Sequence, residues 1–95
     1  MEKLSITAVI KRIEDIKEVG EKKLKVRIVV VTTEEQYPQT LAIQFTDEKV
    51  HAVDIFKPTE KVKIAINLKG REWTNPKGEV VVFNTIEGWK IEKAI

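Results

Sequence analysis

The sequence predicts an all-β domain, five strands closed into a barrel, with one short helix between the third and fourth. Three observations carry this. β-Branched residues alternate with polar ones at period two, prolines and glycines fall between those segments, and one stretch alone takes helical spacing. Ninety-five residues are the size of one domain, so a single unit covering 1–95 is expected.

The first segment carries two patterns. Leu4, Ile6, Ala8 and Ile10 alternate as a strand, while Ile6, Ile10, Ile13 and Ile16 fit a helical stripe. The density of Ile, Val and Thr favours the strand, because branching at Cβ restricts rotamers in a helix. The apolar positions change parity around Arg12–Ile13, which predicts a bulge or bend there. In the second strand, Leu24 to Thr32, one face takes Leu24, Val26, Ile28 and Val30. Lys25 and Arg27 lie on the other, read as outward, with Val29 and Val31 marking a covered far end. The third strand alternates Leu41, Ile43 and Phe45 with Ala42, Gln44 and Thr46.

From Asp47 to Phe56 the apolar residues Val50, Val53 and Phe56 recur every third position, which predicts the helix. Thr46 or Asp47 can cap it, and Pro58 stops it. The fourth strand, Lys61 to Lys69, sets Val62, Ile64, Ile66 and Leu68 against Lys61, Lys63, Ala65, Asn67 and Lys69. The fifth, Val80 to Trp89, sets Val80, Val82 and Ile86 against Val81 and Phe83; Phe45, Phe56 and Phe83 are read as core. This order suits the five-stranded Greek-key barrel of the OB-fold (oligonucleotide/oligosaccharide-binding). There a long first strand bends and pairs twice, a helix plugs one end, and closure leaves few free edges.

Composition narrows the function. An apolar share of 42% with no run of about eighteen apolar residues spans no bilayer. The start Met1-Glu2-Lys3-Leu4 lacks a secretory pattern, so a cytoplasmic protein without membrane contact is expected. With no cysteine, disulfides, thiol nucleophiles and thiolate metal sites are excluded. His51 stands alone without a second metal ligand in register, and Glu34 and Glu35 read as a solvated loop. No phosphate loop, nucleophile elbow or metal-binding spacing is present, so neither an enzyme, a cofactor nor a small-molecule substrate is expected. Seventeen basic against fifteen acidic residues give a net charge of only +2, so what matters is whether the cations share a face.

Two stretches carry a resemblance: Glu35-Gln36-Tyr37-Pro38, and Gly70-Arg71-Glu72-Trp73 leading through Thr74-Asn75-Pro76-Lys77-Gly78 to Gly88-Trp89-Lys90-Ile91-Glu92. From about Val26 onward the chain resembles short, largely uncharacterised bacterial and phage OB-fold proteins that look like single-stranded-DNA-binding proteins. The resemblance implies single-strand binding but brings no defining site. Replicative single-strand-binding proteins carry a flexible acidic tail; here Glu92-Lys93-Ala94-Ile95 follows the last predicted strand, so recruitment through such a tail is not expected.

A sequence-tolerant single-strand binder needs a basic groove for phosphates and flat side chains for bases. The phosphate candidates are Lys25, Arg27, Lys69, Arg71 and Lys77, the last three flanking the loop between strands four and five; Lys63 is a weaker one. Alternating lysines also simply solvate a barrel's outside, the plainer reading for Lys61 and Lys63. The stacking candidates are Trp73, placed in a turn-rich loop, and Tyr37. Either ring could instead pack at the barrel mouth. Trp89, a third stacking candidate, lies beside Ile86 and Ile91 and reads rather as core or subunit interface. The expected ligand is single-stranded DNA, with RNA possible, bound by a homo-oligomer, dimer or higher. The alternative is a structural or adaptor module associating through protein, motivated by Val29 and Val31 on an outward face; an oligosaccharide ligand comes third.

Overall fold

The computed structural model describes residues 4–94. It contains β1 (Leu4–Ile13), β2 (Lys17–Val19), β3 (Leu24–Thr33), β4 (Thr40–Thr46), a 3-10 turn (Asp47–His51), β5 (Lys61–Thr74) and β6 (Val80–Lys93). The strands run β1-β5-β6-β4-β3-β2, and an additional β1–β3 pairing closes the ring. The predicted barrel is therefore the observed one. It counts six strands because the long first strand is interrupted at 14–16, leaving β2 as its continuation along β3.

The first strand pairs twice, as expected. Leu4 to Val9 face Ile66 to Lys61 on β5, and Ala8 to Ile13 face Thr33 to Val29 on β3. The register slips between Ile10 and Arg12, so Lys11 is the extra residue and the bulge comes just ahead of the expected position. That slip turns Ile13 back toward the interior after Ile10, which is the parity change visible in the sequence.

The helix is shorter and tighter than expected. Asp47–His51 forms a 3-10 turn, continued by backbone bonds from Ala52 to Lys49, Asp54 to His51 and Phe56 to Val53, each spanning three residues. Strict spacing by three fits this geometry, because side chains at i and i+3 eclipse in a 3-10 helix. Val50, Val53 and Phe56 are accordingly all buried. Neither expected cap acts: Thr46 makes no side-chain capping bond, and Asp47 takes a left-handed backbone at φ 54°.

The core corrects the direction of β3. Val29 and Val31 are fully buried and cluster with Ile10, Ile43, Phe45 and Ile64, so the odd residues face inward. The face with Leu24, Val26 and Ile28 is the outer one. β3 is apolar on both faces, so alternation alone could not orient it. Arg27 therefore points into the barrel end instead of outward. Its Nε donates to the Glu14 carbonyl at 3.0 Å, and its Nη1 donates to the Val50 carbonyl at 3.0 Å and to the Asp54 carboxylate. One side chain thus ties the break in the first strand to the 3-10 turn.

The β5–β6 hairpin sets the shape. Both strands are fourteen residues long. At ~3.3 Å per residue they run about 46 Å, close to the 48 Å longest dimension. Among the described residues, β1 covers β5 only to Ile66 and β4 pairs with β6 only at Ile86 and Glu87. Leu68–Thr74 and Val80–Thr85 consequently project as a two-stranded ribbon. The radius of gyration, 14.6 Å, exceeds the ~12 Å of a compact chain this long. Both sequence boundaries fell short here: β5 was expected to end at Lys69 and β6 at Trp89.

The ribbon's turn is written in Asn75-Pro76-Lys77-Gly78, a type I pattern with Asn first, Pro second and Gly last. Asn75 Oδ1 accepts from the Lys77 and Glu79 amides, both at 2.9 Å, and Gly78 sits at φ +85°. At the other end Gly88 meets the core. A Cβ there would lie 2.5 Å from Phe45 Cζ and 2.9 Å from Ile43 Cγ2. Phe45 is fully buried and has nowhere to move. Gly88→Ala should therefore destabilise the fold by about 1–3 kcal/mol through overpacking, read by urea denaturation; an unchanged midpoint would contradict this packing.

The Arg27–Asp54 bond holds the Asp54 carboxyl below its ordinary value, with the His51 hydrogen bond adding to the effect. A carboxyl with a depressed folded-state pKa adds stability that is complete above its unfolded value and lost as pH falls through the folded one. The wild type should lose this contribution below about pH 4. Asp54→Asn should be less stable at neutral pH and show a flatter acid limb, measured as Tm against pH.

Candidate functional site

The β5–β6 register decides which side chains meet. Trp73 faces Val81, Arg71 faces Phe83, and Lys69 faces Thr85. One face of the ribbon therefore carries Lys69, Arg71, Trp73 and Phe83. Trp73 is 51% exposed and Phe83 48% exposed. A cation directly across from one aromatic ring and beside another on the same strand is an arrangement suited to stacked, negatively charged ligands.

This face borders an open groove of about 990 Å³. One bank is the β2–β3 hairpin with Lys22 and Leu24, and the other is the ribbon root with Lys69, Arg71 and Phe83. The hairpin bank exists because Gly20 and Lys23 both take positive φ, closing a tight turn with a 3.1 Å bond between them. A second concavity of about 730 Å³ continues over Ile28, Ala42 and Leu68. Gln44, Lys69, Gly70, Asn84 and Thr85 line both. The outer face of β3, where Lys25 and Arg27 were expected, thus supplies an apolar floor through Leu24 and Ile28. The Lys69 ammonium lies 3.3 Å from the Glu87 carboxylate. Arg71 makes no ion pair among the described residues.

Of the residues picked from the sequence, the fold brings Lys69, Arg71 and Trp73 onto one face and leaves four apart. Trp73 stands on a strand, where a loop was expected. Lys77 sits in the exposed turn at the ribbon tip. Tyr37 is 74% exposed in the β3–β4 loop, away from the groove lining. Lys25 is exposed, but its neighbour Leu24 takes the place on the groove bank. Arg27, as described, is committed to the barrel end. Phe83 was read as core and is a correction: its stretch of β6 lies beyond the barrel, with no sheet behind it among the described residues. Phe45 and Phe56 are core as expected.

Groove residues missed from the sequence include Phe83, Lys22, Gln44 and the acids Glu21 and Glu87. Lys22 had a signal, the Gly20-Glu21-Lys22-Lys23 turn. Trp89 is half-buried at a second bulge, where the register slips between Ala65 and Ile66. Val29 and Val31, which motivated the protein-association alternative, are core. His51 Nδ1 lies 3.1 Å from Asp54, and no cluster of three potential metal ligands occurs among the described residues. No helix there is long and apolar enough to cross a membrane.

Residues 5–92 match the family described as "Domain of unknown function (DUF3127)", so the match reaches further toward the N-terminus than the motifs did. No curated protein sequence matches. Solved structures share the fold at low identity. The mitochondrial single-stranded DNA binding protein Rim1 of S. cerevisiae has a TM-score of 0.70 at 10% identity, covering 97% of this chain and 93% of its own. The protein priB of Ralstonia solanacearum has a TM-score of 0.72 at 9% identity, covering 99% of each chain. An SSB domain from Synechococcus sp. has a TM-score of 0.71 at 12% identity, covering 96% of this chain and 93% of its own. The fold is thus the OB-fold expected from the sequence.

Proposed function

The chain belongs to the family described as a domain of unknown function, DUF3127, and we propose that it binds single-stranded nucleic acid, DNA first, with little sequence preference. The observation that carries this is the shared ribbon face. Arg71 lies across from Phe83 and next to Trp73 in register, above a groove flanked by Lys22 and Lys69. Phosphates would lie along Lys22, Lys69 and Arg71, with Lys77 at the tip, while bases stack on Trp73 and Phe83. Two half-exposed aromatic rings on a ribbon with no core behind them ask for a flat ligand. Kinship in fold with a single-stranded DNA binding protein supports the same reading. Arg27 has no place in this site, and neither Tyr37 nor Lys25 is needed for it.

Titrating a thymine oligonucleotide into the protein should quench tryptophan fluorescence, and binding should weaken steeply with salt as counterions are released. Trp73→Ala or Phe83→Ala should each cost roughly 5- to 150-fold in affinity, from ~1–3 kcal/mol per stacked base. Trp89→Phe, the control for the second tryptophan, should leave the affinity unchanged. Absence of quenching at low salt by folded protein would overturn the proposal.

A second reading keeps the expectation of a homo-oligomer on new grounds. The ribbon's opposite face exposes Leu68, Val80 and Val82 at 54%, 59% and 58%, and two-stranded ribbons are marginal in water on their own. A second copy of this chain, laying the same face of its own ribbon against it, would cover that face. Light scattering should then give a multiple of 10.9 kDa, reduced to one chain by Val82→Lys. A monomeric wild type would dismiss it.

A further inference from the structure

Resting on the single-strand reading, we infer that the binding track does not end at the groove but continues along the outer wall of β5 toward Lys61. Alternate residues of one strand share a face, so the face that bears Trp73, Arg71 and Lys69 also bears Lys63 and Lys61. β5 shows no slip of its own between them; the extra residue at the bulge is Trp89 on β6. The row from Lys61 to Trp73 spans about 40 Å.

The gap in the row is filled from the neighbouring strands. Ala65 and Asn67 are small, and Lys90 stands directly opposite Ala65. On the other side, exposed Ser5 and Thr7 stand beside Ala65 and Lys63 and offer hydroxyl donors. Lys63 and Lys90 are exposed and make no ion pair among the described residues. Lys61 and Lys69 are held by Glu34 at 3.1 Å and Glu87 at 3.3 Å. One further acid, Glu92, stands across from Lys63. Cations, hydroxyls and small side chains along an exposed wall suit a sugar–phosphate backbone running past. β5 bears no aromatic ring between Lys61 and Lys69, so this stretch of it holds phosphates while the ribbon holds bases.

The wall thus makes affinity depend on ligand length. Thymine oligonucleotides of about 6 and about 16 nucleotides sit near the two ends of what one OB barrel occupies. With both at low salt, Lys63→Gln/Lys90→Gln should weaken the longer one roughly tenfold and leave the shorter one unchanged. For the longer one, the slope of log K against log salt should fall by about 1.4, at ~0.7 per phosphate contact on a single strand. Lys63→Arg/Lys90→Arg should restore both, and Glu92→Gln should tighten the longer ligand alone. An unaltered affinity and slope in the glutamine variant, at unchanged Tm, would overturn the extension while Trp73→Ala still upheld the groove. If the wild type bound neither length, the proposed function itself would fall, and the extension with it.

Discussion

Everything distinctive here depends on the long antiparallel pairing of β5 with β6. Its inner half builds the barrel wall, with Ile64 and Ile66 in the core and Gly88 pressed against Phe45. Its outer half leaves the barrel and projects. One register serves both halves, so the same alternation that buries Val62 and Ile64 turns Lys69, Arg71 and Trp73 outward. A slip of one residue would reverse every side chain, exposing the core row and hiding the cations. The core contact at Gly88, with the bulge beside it, pins that register from inside. Stability and candidate site are therefore set by one constraint.

The barrel end opposite in role is closed by polar chemistry. Arg27 satisfies two backbone carbonyls where the first strand breaks and the 3-10 turn ends, and Asp54 balances its charge. A hydrocarbon plug would leave those carbonyls unpaired. An arginine's planar fork reaches several partners at once, which a lysine could not reproduce. This explains an arginine on the face of β3 that also bears the buried Val29 and Val31.

The sequence disclosed the architecture well and the site in part. Strand order, the double pairing of β1 and the parity change near Arg12 were legible because alternation and β-branching are local signals. The length of β5 was not. Gly70-Arg71-Glu72-Trp73 is neither apolar nor regularly alternating, and it is a strand because β6 pairs with it. Trp73 was consequently placed in a loop, and Phe83 in a core that does not extend that far. Orientation failed on β3, where both faces are apolar and only the neighbours decide which is inside. Arg71 and Trp73 were found because a cation next to a large ring before an Asn-Pro-Lys-Gly turn is visible in one dimension. Their partner Phe83 needed the register. Net charge said little, because a sum of +2 does not tell which cations share a face.

The central claim is that the ribbon face and the groove below it are where a single strand lies. The most direct measurement is backbone and indole amide NMR during titration with a thymine oligonucleotide. The account predicts shift changes at 69–73 and 83–85, at Lys22 and at the Trp73 indole, with the 34–39 loop and the 3-10 turn unmoved. Changes centred on Tyr37 or the 3-10 turn, with the ribbon silent, would contradict it.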